Sequence, residues 1–105
     1  MESSPWIMRL ADEIIRRFHP LRVILFGSHA RGEAGADSDI DLLVVLAEAP
    51  DKRRAAVEIR RALAAFPVPK DIIVTTPAEI AARGHLVGTV LRPALREGKV
   101  LYERA

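Results

Sequence analysis

The chain is 105 residues long, half of them apolar and 29% charged, with 6 Gly and 7 Pro, the balance of one folded domain over 1–105 and not of a disordered or collagen-like chain. Its 16 basic and 14 acidic residues leave a net charge of +2, too small for a general pull on polyanions, so no direct nucleic-acid binding is expected. There is no cysteine, which excludes disulfides, thiolate zinc sites and cysteine nucleophiles and suits a reducing cytoplasm, and the longest apolar run, Leu42 to Ala47, is far too short to span a membrane.

Ser4 and Pro5 read as an N-cap and a first-turn proline. Ile7, Ala11, Ile14 and Phe18 then recur at helical spacing until His19 and Pro20, which predicts a helix over 5–18. Leu21 to Phe26 is a short β-branched run ending at Gly27, a buried strand. Residues 32–38 are small and polar, a loop, and Asp39 to Leu46 reads as a second strand opening with two aspartates. Ala56, Ile59, Leu63 and Phe66 form one stripe of an amphipathic helix over 51–66. Lys70 to Thr75 is the third strand, and Thr76, Pro77 and Glu79 spell a capping box before a helix over 77–83, closed by Gly84. Residues 86–97 are helical again, with a kink or restart at Pro93, and Val100 to Tyr102 can add an edge strand. The expected fold class is α/β, a small mixed sheet of three main strands flanked by helices.

Asp39 and Asp41 stand two apart, so on a strand their side chains share a side with Cα atoms about 6.6 Å apart. Two close anions in an apolar strand are best tolerated with a cation between them, and hard oxygen donors suit Mg²⁺ shared with substrate phosphates. Such a pair alone is more often two solvated aspartates at a strand's beginning. Gly27 and Ser28 lie at a strand-to-helix turn, where a missing Cβ and free amides suit a phosphate, although an ordinary capped turn reads the same way. If the first two strands are antiparallel neighbours, that turn meets the start of the second. A right-handed crossover through 51–66 makes the third strand parallel to the second. Asp71, at the start of the third strand, then joins the other two carboxylates, as metal ligand and as general base for an attacking hydroxyl, unless it is merely an exposed edge residue. Arg31 and His29 flank the turn and could neutralise phosphate charge. The arginine pairs at 16 and 17, 53 and 54, and 60 and 61 read as solvated helix faces or as contacts for an acidic partner.

The string GSHARGEAGADSDIDLLV, Gly27 to Val44, resembles the glycine-serine, ten-residue spacer, DxD signature of the DNA polymerase β nucleotidyltransferase superfamily, and the ending GKVLYE and short length resemble its minimal nucleotidyltransferases. The similarity covers nearly the whole chain. It implies a polymerase β-type fold, two Mg²⁺ ions held by Asp39, Asp41 and Asp71, and a triphosphate seat at Gly27 and Ser28, beside which Arg31 can serve as a fork-shaped donor or stand as an exposed loop residue. His29 stands where arginine is more usual. The resemblance further implies AMP transfer from ATP to a hydroxyl, a tyrosine of a partner HEPN-domain ribonuclease toxin in a hetero-oligomer, with this chain as the antitoxin. Two other expectations stay open: a non-enzymatic antitoxin that neutralises by binding, and a stand-alone adenylyltransferase of a small hydroxylated molecule.

Overall fold

The computed structural model describes residues 4–35, 38–84 and 91–104. Helix α1 (Trp6–Phe18) turns Ile7, Leu10, Ala11 and Ile14 inward, and Ser4 Oγ accepts the Trp6 N–H at 3.3 Å. Pro5 already has helical dihedrals, φ −65° and ψ −14°, so serine caps and proline starts the helix as their chemistry dictates. The helix stops at His19, which takes the left-handed conformation at φ 49°, and Pro20 cannot continue it. The exposed His19 carbonyl accepts a hydrogen bond from the Arg104 guanidinium.

The four strands are β1 (Arg22–Phe26), β2 (Ile40–Val45), β3 (Lys70–Thr75) and β4 (Lys99–Glu103), in the order β3-β2-β1-β4. β1 runs antiparallel to β2 and to β4, and β2 runs parallel to β3. The parallel pair requires a crossover, which α3 (Lys52–Ala62) supplies. Asp51 caps α3 by accepting from the Arg54 N–H at 3.0 Å. The helix ends four residues before the expected Phe66. There the chain tightens into three-residue turns, with Ala64 N–H on the Arg61 carbonyl and Phe66 N–H on that of Leu63. Leu63 and Phe66 still pack on the core, so the apolar stripe outlasts the helix. The expected edge strand is a full one of five residues, and a register shift between Val23 and Ile24 bends its pairing.

Strand alternation sorts the sheet into two faces. Val23, Leu25, Leu42, Val44, Ile72 and Val74 join α1 and α3 in the larger core. Ile24 and Leu43 pack with Leu91 and Ala94 of α5 (Leu91–Glu97), with Phe26 and Ile73 at its margin. Leu10, Ile14, Leu42, Leu43, Ile59 and Leu63 are wholly buried, each worth about 1.5–3 kcal/mol of transfer free energy. Between the last strands lies α4 (Pro77–Arg83), whose Thr76 cap accepts from the Glu79 N–H at 3.2 Å. The reciprocal half of the capping box does not form. Burial pushes the Glu79 carboxyl up, but hydrogen bonds from Lys52 and from the buried Thr75 hydroxyl outweigh it and hold it below its usual value.

Two glycines near α5 serve packing. Gly84 is the C-cap of α4 as expected, in right-handed backbone at φ −62° with its N–H on the Ile80 carbonyl, and a Cβ there would meet the Ile80 carbonyl at 2.7 Å and Leu95 Cδ1 at 3.0 Å. The start of the expected 86–97 helix lies outside the described residues, and Pro93 falls within α5. A Cβ on Gly98 would meet the Ala94 carbonyl at 2.2 Å and Ile24 Cγ2 at 2.5 Å. Gly98→Ala is therefore expected to destabilise by about 1–3 kcal/mol, the cost of overpacking, measured as a lower urea midpoint at unchanged slope. A neutral result would mean that α5 can back away from β1 freely.

Candidate active site

β1 delivers Gly27 to the end of the sheet where β2 and β3 begin. Phe26 pairs with Asp41 across the antiparallel ladder, and Asp41 pairs with Asp71 across the parallel one. Asp41 thus has the glycine turn on one side and a second carboxylate strand on the other. Asp41 and Asp71 alternate with Leu42 and Ile72 of the larger core, so both leave from the α5 face. Asp39 stands immediately before β2, not inside it as expected, and is exposed. The ladder starts at Ile40, whose N–H donates to the Pro69 carbonyl at 3.0 Å.

Gly27 adopts φ 73° and ψ −155°, a region essentially confined to glycine. A Cβ there would lie 2.2 Å from Asp41 Oδ2 and 3.1 Å from its carboxyl carbon. The absent side chain is the space the Asp41 carboxylate occupies. The turn continues into α2 (Ser28–Arg31), where the Ala30 and Arg31 N–H groups bond the Gly27 carbonyl. The preceding Ser28 and His29 amides have no intrahelical acceptor.

The loop after α2 is tied back to it. The Glu33 N–H donates to the Ser28 carbonyl at 2.9 Å, and Ser38 Oγ accepts from the Gly35 N–H at 2.9 Å. His29 Nε2 donates to the Ser38 carbonyl at 3.2 Å, since a carbonyl can only accept. His29 therefore fixes the approach to Asp39. Arg31 bonds Glu33 at 2.8 Å, with Glu97 and Asp41 also near enough to favour its charged form. Lys70 Nζ donates to the Phe66 and Val68 carbonyls, on the face of β3 opposite Asp71.

Burial raises the Asp41 carboxyl above its ordinary value, Asp71 and Asp39 add repulsion, and His29 and Arg31 act the other way. A divalent cation would relieve that repulsion, and the all-oxygen donor pair of Asp39 and Asp41 beside an open turn fits Mg²⁺ shared with phosphate oxygens. Asp71 is placed differently: its Oδ1 accepts from Arg60 Nη2 at 2.8 Å. Among the described residues no group of three or more His, Cys, Asp or Glu side chains is placed to hold one metal ion. Register thus makes Asp71 a neighbour of Asp41, while its carboxylate is engaged by α3. Sequence reasoning missed Arg60, because nothing in the pair Arg60-Arg61 distinguishes it from a solvated helix face.

The family model described as nucleotidyltransferase domain matches residues 7–96. No curated protein matches the sequence. Among solved structures, a protein from Sulfolobus solfataricus described as a nucleotidyltransferase is 23% identical, with 93% of this chain and 81% of that chain covered and a TM-score of 0.63. A chain of a toxin-antitoxin structure with AMP-PNP is 24% identical, over 91% of this chain and 73% of that one, at a TM-score of 0.64. A mutant of the toxin-antitoxin MntA-HpeT is 22% identical, over 91% and 73%, at 0.63. Among the described residues no helix is long and apolar enough to cross a membrane. With the polymerase β-type fold on these grounds and the family match running from α1 into α5, the chain belongs to the nucleotidyltransferase domain family.

Proposed function

We propose that residues 1–105 act as one minimal nucleotidyltransferase domain that moves AMP from ATP to a hydroxyl of a partner protein, a tyrosine of a HEPN-domain ribonuclease toxin, and serves in the cytoplasm as its antitoxin. The observation that carries the transferase reading is the flanking of Asp41 by Gly27 and Asp71 at one end of the sheet. The toxin-antitoxin likeness of two structural neighbours, one with AMP-PNP, supports the choice of acceptor.

In this reading the Gly27-Ser28 turn seats the triphosphate, and Arg31 exchanges Glu33 for a phosphate oxygen. Asp39 and Asp41 would hold Mg²⁺, with Asp71 as the third ligand once released by Arg60. Two Mg²⁺ ions would neutralise the phosphates and stabilise the attacking and leaving oxygens. The acceptor oxygen bonds to the α-phosphorus, the bond from that phosphorus to the bridging oxygen breaks, and pyrophosphate leaves. Asp71 takes the hydroxyl proton. Positioning and charge neutralisation do most of the work.

The engagement of Asp71 by Arg60 favours a second reading, a stoichiometric antitoxin that masks the toxin without chemistry. Incubation with α-labelled ATP and Mg²⁺, with and without the protein encoded beside it, separates the readings. AMP on the partner by intact mass, absent with the double variant Asp39→Asn/Asp41→Asn, is the expected result. A stable complex without label on either chain favours masking, and transfer to a small hydroxylated molecule without any partner favours the stand-alone enzyme.

A further inference from the structure

Asp71 follows Lys70 at the start of the edge strand β3, and α3 crosses the opposite face of the sheet. Ile59 and Leu63 on either side of Arg60 are 0% exposed and pack in the core that holds Ile72 and Val74, so the place of Arg60 on the fold is set by buried neighbours. Asp71 alternates with Ile72 and leaves from the other face. The 2.8 Å contact between Arg60 Nη2 and Asp71 Oδ1 is therefore made around the edge of β3. Both side chains remain about half exposed, at 51% and 45%. An ion pair so open to water is weak and exchanges readily.

Three carboxylates share one end of the sheet, and mutual repulsion penalises such a cluster. Arg60 occupies one oxygen of Asp71 and offsets part of its charge, while Asp71 still repels Asp41. We infer that Arg60 is a positioning residue: it holds Asp71 Oδ1 in the ion pair as long as no cation is bound and yields it when a divalent cation and nucleotide arrive. The inference rests on the assignment of the three aspartates made above. A cation that coordinates Asp71 must first compete with the guanidinium, so Arg60 raises the cation concentration at which the site assembles. Arg60 touches neither nucleotide nor reacting atoms in this role.

The test is direct Mn²⁺ binding by electron paramagnetic resonance, with a non-hydrolysable ATP analogue and no turnover. Arg60→Gln is expected to tighten Mn²⁺ binding by about two- to fivefold, the factor an exposed ion pair supplies. The tightening should vanish when Asp71→Asn is also present, as a double-mutant cycle requires of a pairwise effect. Arg61→Gln removes the same charge from the same helix and should change little. Equal tightening in the Asp71→Asn background, or from Arg61→Gln, would show a diffuse charge effect and overturn the inference, as would unchanged or weaker binding by Arg60→Gln. Failure of the wild-type chain to bind Mn²⁺ at all would instead overturn the carboxylate assignment on which it rests.

Discussion

Asp41→Asn is expected to abolish nucleotidyl transfer, with a loss on the order of 1000-fold or more, and at the same time to raise the melting temperature. Losing several kcal/mol of charge stabilisation at the phosphorus corresponds to at least about three powers of ten in rate. The gain in stability has a separate origin. Asp41 is partly buried, with Asp71 and Asp39 near, and its carboxyl is raised for those reasons in that order. A carboxyl raised in the folded state favours folding fully only below its unfolded value, ordinarily 3.8, and that contribution is lost as pH rises through the folded value. At pH 7 the wild-type chain therefore carries an unfavourable charge, and asparagine does not. The difference in melting temperature should be largest at neutral pH and shrink as pH falls towards 4. Mg²⁺ with nucleotide should raise the wild-type melting temperature and leave that of the variant nearly unchanged. A variant that melts lower than wild type at pH 7 would mean that Asp41 supports the fold, and full activity in the variant would remove it from the site.

Most of what positions this site was legible from local patterns. The runs Leu21 to Phe26, Asp39 to Leu46 and Lys70 to Thr75 are short, β-branched and bounded by glycine, proline or polar loops, and each is a strand within a residue or two of its expected ends. Chain direction was legible only in part: the helical crossover through α3 suits parallel β2 and β3, whereas the connection from β1 to β2 runs through α2 and does not by itself fix their antiparallel pairing. Given that pairing, the crossover rule brings Gly27, Asp41 and Asp71 together. Asp39 fell outside β2 because the ladder starts where Ile40 finds the Pro69 carbonyl, a contact between segments far apart in sequence. The same holds for the side-chain contacts. His29 reaches Ser38 across the loop, and Arg60 reaches Asp71 around the sheet edge. Both depend on the placement of elements in space, and neither residue type carries its partner in its own neighbourhood.

Gly27→Ala is expected to damage both fold and activity, costing about 1–3 kcal/mol of stability from backbone strain alone and on the order of 100-fold in transfer, the cost of displacing a proposed catalytic group by an ångström or so. The two effects can be separated with a second glycine. Gly32 has the same φ of 73°, but its ψ of 20° is ordinary left-handed backbone and a Cβ there would meet nothing within 4 Å. Gly32→Ala should cost about 1 kcal/mol and leave transfer and Mn²⁺ binding unchanged. At Gly27 the methyl would lie 2.2 Å from Asp41 Oδ2, so either the carboxylate turns away or β1 and β2 separate at their paired ends. Either movement opens the distance between the proposed phosphate seat and the carboxylate proposed to bind the metal, and Mn²⁺ affinity should fall together with activity. Equal losses of activity from the two alanine variants would mean that turn conformation alone is limiting; loss at Gly27 alone, accompanied by weakened Mn²⁺ binding, ties the glycine to the carboxylate it accommodates.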